Sequence, residues 1–317
     1  MIKKYTFLLP VFKAKFLAET LDSIQRQTYA DFKVIISDDN SPEDIKSVCE
    51  PYFTDNRFSY RKNSENVGAK SIVSHWNLLV DMCDTEYLIM ASDDDMYEPT
   101  FLEEIDKLTI KYPQVALLRA RINRVDEGGN VFEHDMPCDE YESHLEFCYH
   151  LFAWNGIHCM QNHVFKTSVL KEIGGCVDFP LAWYSDDATE VAMSKYGVAN
   201  TREPLFLFRS STIQISSNDK IPTVVARKKV EAGILFLKWI RPFIEKIIPN
   251  NSKYEQNIWA KLQNAAPRYI TGHAKYYYAF LTFRDYCRLY SVFCQLSEIK
   301  SRIEKYLLFK DWFKHHI

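Results

Sequence analysis

Tyr87-Leu88-Ile89-Met90-Ala91-Ser92-Asp93-Asp94-Asp95 is an apolar run that closes in three consecutive carboxylates. A short, uninterrupted apolar stretch suits a strand buried on both faces, as in a parallel sheet. Acids crowded at the end of such a strand repel and raise one another's pKa. A divalent cation relieves that repulsion. Hard oxygen ligands suit Mg²⁺ or Mn²⁺, and such ions commonly share their coordination with substrate phosphates. Taken alone, the triplet also suits a solvated acidic turn, and the flanking sequence has to decide.

Upstream of the triplet, strand-like and helix-like patterns alternate. Residues 5–9 form an apolar run, and Phe16, Leu17, Thr20, Leu21 and Ile24 recur at helical spacing. Val34-Ile35-Ile36 reads as a strand ending at Ser37-Asp38-Asp39, and residues 43–53 read as a helix with Ser41 as N-cap ahead of Pro42. Phe58-Ser59-Tyr60 is a short strand, and Ile72, Val73, Trp76, Leu79, Val80 and Cys83 mark an amphipathic helix. This order predicts an α/β fold with a mainly parallel central sheet and helices on both faces.

Downstream, residues 99–112 and 186–196 read as helices, the second stopping at Gly197. Strands are expected over 115–119 and 162–166, with a hairpin turn at Glu127-Gly128-Gly129-Asn130. Ser168 is expected to cap a short helix ending at Gly174-Gly175. From Thr223 onward the pattern is helical and rich in aromatics, with Pro242, Pro249 and Pro267 as punctuation. The expected organisation is a catalytic domain over 1–220 and a helical C-terminal segment over 221–317.

Composition narrows the function classes. With 47% hydrophobic and 26% charged residues in 317, a sizeable core is expected and disorder is not. A formal net charge of -3 argues against a nucleic-acid binder held by a broad basic footprint. Pro10 and Lys13 interrupt the first apolar run, so it does not read as a signal peptide, and no segment reaches the roughly 18 apolar residues that span a bilayer. The eight cysteines form no CxxC pair and read as reduced thiols. Cys159 and Cys176 with His158 or His163 match no zinc-site spacing. A cytoplasmic location is expected.

In a parallel sheet, ligands bind at the carboxyl ends of the strands. Three such ends are polar here: Pro10-Val11-Phe12, Asp38-Asp39 and the aspartate triplet. Asp38-Asp39-Asn40-Ser41 offers acceptors for a base imide N–H or a ribose hydroxyl, and it equally suits an Asx turn. Neither GxGxxG nor GxxxxGK[ST] occurs, so a bound diphosphate needs a metal to neutralise it. Asp186-Asp187 follows Ala182-Trp183-Tyr184 and opens a helix. A carboxylate there tends to stay ionised and can serve as a general base, or simply cap the helix.

These motifs, taken in order, resemble the family 2 glycosyltransferases with the GT-A fold. The first strand and helix are similar to the family's opening, through Pro10-Val11-Phe12 and Gln25-Arg26-Gln27-Thr28-Tyr29. Ser37-Asp38-Asp39-Asn40-Ser41 resembles the nucleotide-base segment, Asn66-Val67-Gly68 with Asn77 the donor-side loop, and Ser92-Asp93-Asp94-Asp95 the DxD metal station. Ser185-Asp186-Asp187 stands at the place of the acidic base pair, which is commonly Glu-Asp in the family. The resemblance is strong over about 5–110 and thinner to about 216.

The resemblance implies an inverting transfer from a nucleotide-diphosphate sugar, a UDP-sugar by preference, to a glycan or lipid-linked acceptor hydroxyl in polysaccharide or glycan assembly. It implies that Pro10, Val11, Phe12, Asp38 and Asp39 hold the nucleotide, with Asn66, Gly68, Lys70, Asp93, Asp94 and Arg209 on the donor. Asp95 and Asp93 would ligate Mn²⁺ or Mg²⁺, and one of Asp186 and Asp187 would be the base. The arginine usual after Asn-x-Gly is replaced by Lys70 or His75. A sugar nucleotidyltransferase is the rival enzyme, and a degenerate binding subunit the rival non-enzyme. Trp154, Trp183 and Tyr184 suit either sugar stacking or core packing. Basic and aromatic residues interleave at Arg227-Lys228-Lys229, Lys238-Trp239 and Lys310-Asp311-Trp312-Phe313-Lys314, which suits a helical cap or peripheral contact with the inner face of a membrane.

Overall fold

The computed structural model describes residues 3–153, 156–212, 221–296 and 310. Two compact units emerge. The first comprises Met1–Phe147, Gly156–Asp178 and Thr189–Ser211; the second comprises Cys148–Asn155, Phe179–Ala188 and Thr212–Ile317.

The first unit is built on one sheet. Its strands are β1 (Tyr5–Val11), β2 (Phe32–Asp38), β3 (Phe58–Lys62), β4 (Tyr87–Met90), β5 (Met96–Tyr97), β6 (Leu117–Val125), β7 (Val131–His134), β8 (Tyr141–Glu142), β9 (His163–Lys166) and β10 (Val198–Arg209). The spatial order is β3-β2-β1-β4-β9-β6-β10-β5, with β7 on β6 and β8 on β10. Pairing is parallel from β3 through β4. Beyond β4 the sheet is mixed, because β9 runs antiparallel to both β4 and β6.

The helices of this unit are α1 (Leu17–Gln25), α2 (Ile45–Cys49), α3 (Ile72–Met82), α4 (Phe101–Lys111) and α6 (Thr167–Glu172); α5 (His144–Phe152) and α7 (Ser185–Met193) run across the unit boundaries. Alternation along β1 explains the cover. Tyr5, Phe7, Leu9 and Val11 join one core with Leu17, Leu21 and Ile24 of α1 and Phe101 and Ile105 of α4. Thr6 and Leu8 are also fully buried, outside that cluster, and α3 packs on β1. Successive strand side chains point to opposite faces, so a strand buried on both reads as a continuous apolar run.

Two caps differ from the sequence reading. α2 starts at Ile45 with Asp44 as N-cap, accepting from the Ser47 N–H, because the Ser41 hydroxyl donates to the Phe12 carbonyl at 2.6 Å. α6 starts at Thr167 directly from β9, so Lys166 and not Ser168 precedes the first turn. Lys166 is still in the ladder, donating to the Ala116 carbonyl. The β6–β7 turn forms as expected, with Gly129 at φ 83°.

The second unit is helical: α8 (Thr223–Lys246), α9 (Lys253–Tyr278) and α10 (Phe283–Leu296). Buried Ala226, Val230, Leu237, Ile240 and Ile244 mark the inner stripe of α8 at helical spacing. Of the expected breaks, Pro249 falls between helices, while Pro242 lies inside α8 and Pro267 within α9. Among the described residues no helix is long and apolar enough to cross a membrane. Trp154 and residues 311–317 lie outside the described residues.

Candidate active site

The order β2-β1-β4 sets three polar strand ends side by side. Beyond β4, Asp93 Oδ2 accepts the backbone N–H groups of Phe12 and Lys13 at 2.8 and 2.7 Å, binding the acidic turn to the end of β1. Asp95 is buried. Its Oδ2 accepts the Ser92 hydroxyl at 2.5 Å, and its Oδ1 accepts the Arg209 N–H at 2.9 Å. Burial, opposed by the Phe12 and Lys13 amides, pushes the Asp93 carboxyl up to about 6. Burial also raises Asp94, and it raises Asp95 well above the ordinary range with help from the Asp94 charge.

Carboxylate oxygens are the donors a hard divalent cation takes, although Asp93 Oδ2 and both Asp95 oxygens already accept hydrogen bonds. Three carboxylates share one turn, burial disfavours their ionisation, and Lys13 and Arg209 offset only part of the charge around Asp94. Arg209 itself is fully buried at the end of β10. Its guanidinium donates to the carbonyls of Asp94 and Glu127 and to Glu19, and lies 4.4 Å above the Phe16 ring. It braces the acidic turn from beneath.

Beyond β2, Asp38 and Asp39 hold different things. Asp38 accepts from the Ser41 N–H and the Tyr60 hydroxyl at 2.8 and 2.7 Å, which is the Asx turn. Asp39 Oδ1 accepts from Asn63 Nδ2 and the Val67 N–H, and Oδ2 accepts from the Gly68 N–H at 2.7 Å. Asp39 therefore seats the loop that carries Asn66 and Gly68 against the strand end. A Cβ on Gly68 would lie 2.8 Å from Asp39 Oδ2. Asn66 Oδ1 accepts the Ala69 N–H within that loop, and Lys70 is exposed and paired with Glu65. His75 is buried beside Asp39, 3.6 Å away, and burial lowers its pKa. Two further links close the edge: the Asp39 N–H donates to Val11, and Ser41 to Phe12. Pro10, Val11, Phe12, Asp38, Asp39, Asn66, Gly68 and the triplet thus gather at one sheet edge.

Asp186 and Asp187 belong to the second unit. The segment before them is strained: Leu181, Ala182 and Tyr184 have φ of 61°, 56° and 67°. Left-handed conformation costs a non-glycine residue roughly 1–2 kcal/mol. Contacts hold it in place. The Ser185 hydroxyl accepts the Phe179 N–H at 3.0 Å, and Tyr184 stacks on Phe236 with centroids 5.0 Å apart. Asp186 Oδ1 accepts the N–H of its neighbour Asp187 in the first turn of α7. The Tyr269 hydroxyl of α9 lies 3.4 and 3.3 Å from the two carboxylate oxygens of Asp187. Burial, then the charge of Asp186, raises Asp187 well above the carboxylate range, and Tyr269 opposes that rise.

Sequence reasoning missed Tyr269 as a partner, since nothing in the aromatic-rich C-terminal pattern separates it from its neighbours. It also missed Glu190, which lies 3.5 Å from His158 Nδ1 and 3.3 Å from His163 Nδ1. Arg119 can only donate, so His158 Nε2 accepts from it at 3.1 Å and the His158 proton sits on Nδ1, toward Glu190. His163 Nδ1 lies 2.8 Å from the Cys159 carbonyl, and the Arg119 guanidinium beside His158 Nε2 puts a positive charge where a cation site would need an acceptor. Cys49, Cys83, Cys138, Cys148, Cys159, Cys176 and Cys287 are free thiols.

Known proteins share this architecture. TarS 1–349 of S. aureus, in complex with UDP-GlcNAc, superposes with a TM-score of 0.60 at 13% identity, over 98% of this chain and 90% of that one. The mannosyltransferase PcManGT of Pyrobaculum calidifontis, in complex with GDP-Man and Mn2+, gives a TM-score of 0.53 at 14% identity, over 100% and 88%. Identities this low establish the fold, which is GT-A-like with added C-terminal helices. An uncharacterized glycosyltransferase of Methanocaldococcus jannaschii, MJ1057, is 30% identical over 126 residues, 39% of this chain and 42% of that protein. The match therefore spans less than half the length of that relative. The model of the glycosyl transferase family 2 matches residues 6–174, over half of the chain and across every station of the sheet edge. The chain belongs to glycosyl transferase family 2.

Proposed function

We propose that this glycosyltransferase moves a sugar from a nucleoside-diphosphate donor to an acceptor hydroxyl with inversion, within polysaccharide or glycan assembly. The observation that carries the reading is the placement of Asp39 and the aspartate triplet at neighbouring strand ends, joined through the Val11–Lys13 backbone. The UDP-GlcNAc and GDP-Man bound to the two structural neighbours support a nucleotide-sugar donor, with UDP the preferred nucleotide, and the Mn2+ of one supports a divalent metal.

In this reading Pro10, Val11, Phe12 and Asp39 receive the nucleoside, and Asp38 keeps the strand end in shape. Asn66 and Gly68 close the loop over the base side. Asp93, Asp94 and Asp95 would hold Mn²⁺ or Mg²⁺, which when bound neutralises charge on the leaving diphosphate. Asp187 takes the proton of the acceptor hydroxyl as its oxygen bonds to the anomeric carbon and the bond to the diphosphate breaks. Burial raises its pKa, which makes its ionised form a stronger base than a solvated aspartate, and Asp186 lies beside it at the helix start. A single base without a separate nucleophile favours one displacement, hence inversion.

A thermal-shift panel of UDP- and GDP-sugars, with and without Mn²⁺, tests the donor side, and hydrolysis of the donor that binds tests turnover. A chain that no nucleotide sugar stabilises would not be a transferase of this kind.

A further inference from the structure

We propose that Lys229, with Trp183 and Tyr277, forms a binding site for a phosphate or carboxylate group carried by the acceptor. The inference rests on the glycosyl-transfer reading above and names the chemistry of the second substrate.

Lys229 lies on the inner side of α8 with only 6% of its surface exposed. Its ammonium sits 3.8 Å from the ring centroid of Trp183 and 4.5 Å from that of Tyr277. The Tyr277 hydroxyl is 3.1 Å from Nζ. A lysine ammonium has three donors, and buried ammonium groups are ordinarily paired with a carboxylate. Among the described residues no Asp or Glu forms an ion pair with Lys229, although Arg227 and Arg288 nearby in sequence and space each have one. Burial lowers its pKa to about 8, so it stays largely charged at neutral pH. The two ring faces offset part of the desolvation and leave donors for an anion.

The location ties this cation to the proposed base. Trp183 directly precedes Tyr184-Ser185-Asp186-Asp187, and Tyr277 follows Tyr269 on α9 by eight residues, a rise of about 12 Å. An anion at Lys229 would therefore belong to a part of the acceptor removed from its reacting hydroxyl.

The test uses the full chain labelled with ¹³C at lysine Cε, with the Lys229 signal assigned by its loss in Lys229→Arg. Glycerol 3-phosphate, glucuronate and vesicles containing phosphatidylglycerol are titrated separately, with glycerol as the neutral control. A saturable shift of the Lys229 signal with one of the anions, and none with glycerol, is expected. The responding anion identifies the source as soluble phosphate, carboxylate or lipid phosphate. With a working acceptor, Lys229→Met should raise its KM roughly 10- to 100-fold while kcat and donor KM hold, and Lys229→Arg should recover part of the loss. A Lys229 signal that no anion moves overturns the proposal, as does an equal KM effect on neutral and anionic acceptors. Donor stabilisation of the wild-type chain separates the cases: if it persists, only the anion site falls, and if it is absent, the transferase reading falls.

Discussion

The backbone N–H of Arg209 donates to Asp95 Oδ1 at 2.9 Å, tying the end of β10 to the acidic turn 114 positions earlier. The same residue's guanidinium, fully buried, satisfies the Asp94 and Glu127 carbonyls. Arg209→Ala leaves those acceptors and a buried carboxylate cluster without their cation. A loss of about 3 kcal/mol is expected from urea unfolding. Arg209→Lys keeps the charge but not the planar fork, and should recover less than half of it. A variant as stable as wild type would mean the guanidinium does not brace the turn.

Proton binding at the triplet sets a pH signature for the metal. Burial raises these carboxylates, so between pH of about 4 and 6 the folded chain binds more protons than the unfolded one. Their contribution to stability is therefore full below the unfolded pKa and is lost as pH rises through the folded value, about 6 for Asp93. Without metal, Tm should fall from pH 5 to 7 more in wild type than in Asp93→Asn. Added Mn²⁺ competes with protons, so its stabilisation should grow over the same interval and shrink in Asp95→Asn. A Mn²⁺ shift that does not depend on pH would place the ion elsewhere.

The parts of the fold legible in the sequence are those whose pattern is local. β1, β2 and β4 read as apolar runs because both their faces are covered, and α1 and α3 read from their spacing. β10 did not: Thr201-Arg202-Glu203-Pro204 sits mid-strand, where the register against β6 shifts around Pro204 and polar residues leave the core. The strand ends carrying Asp39 and the triplet were legible because acids after an apolar run are unusual. The partners of those acids were not. Asp39 seats residues 67 and 68, Asp95 meets residue 209, and Asp187 meets residue 269, all pairings that only the chain's tertiary course creates.

Gly68 has a steric reason to be glycine. A methyl there would sit 2.8 Å from Asp39 Oδ2, the atom that accepts the Gly68 N–H. Gly68→Ala should displace the loop from Asp39 and weaken nucleotide binding roughly 10-fold, with a small effect on global unfolding because the loop is a surface element. Calorimetric titration with UDP and GDP measures it. Unchanged affinity for both would separate the Asp39 loop from the donor.

The two acids at the start of α7 should behave differently. Asp186 accepts a backbone N–H of its own helix, whereas Asp187 is held by the Tyr269 hydroxyl. Asp187→Asn should lower kcat about 10²- to 10⁴-fold with donor affinity intact. Asp186→Asn should keep most turnover and lower helix stability. Because burial raises Asp187 above the ordinary carboxylate range, kcat/KM should fall on the acid side at a pH higher than a solvated aspartate would give. Tyr269 stabilises the ionised form, so Tyr269→Phe raises that pKa further and moves the acid limb to still higher pH. A merely structural tyrosine would scale the whole profile down without moving the limb. A profile that keeps its limb in Tyr269→Phe, together with a normal kcat in Asp187→Asn, would remove the base from this helix.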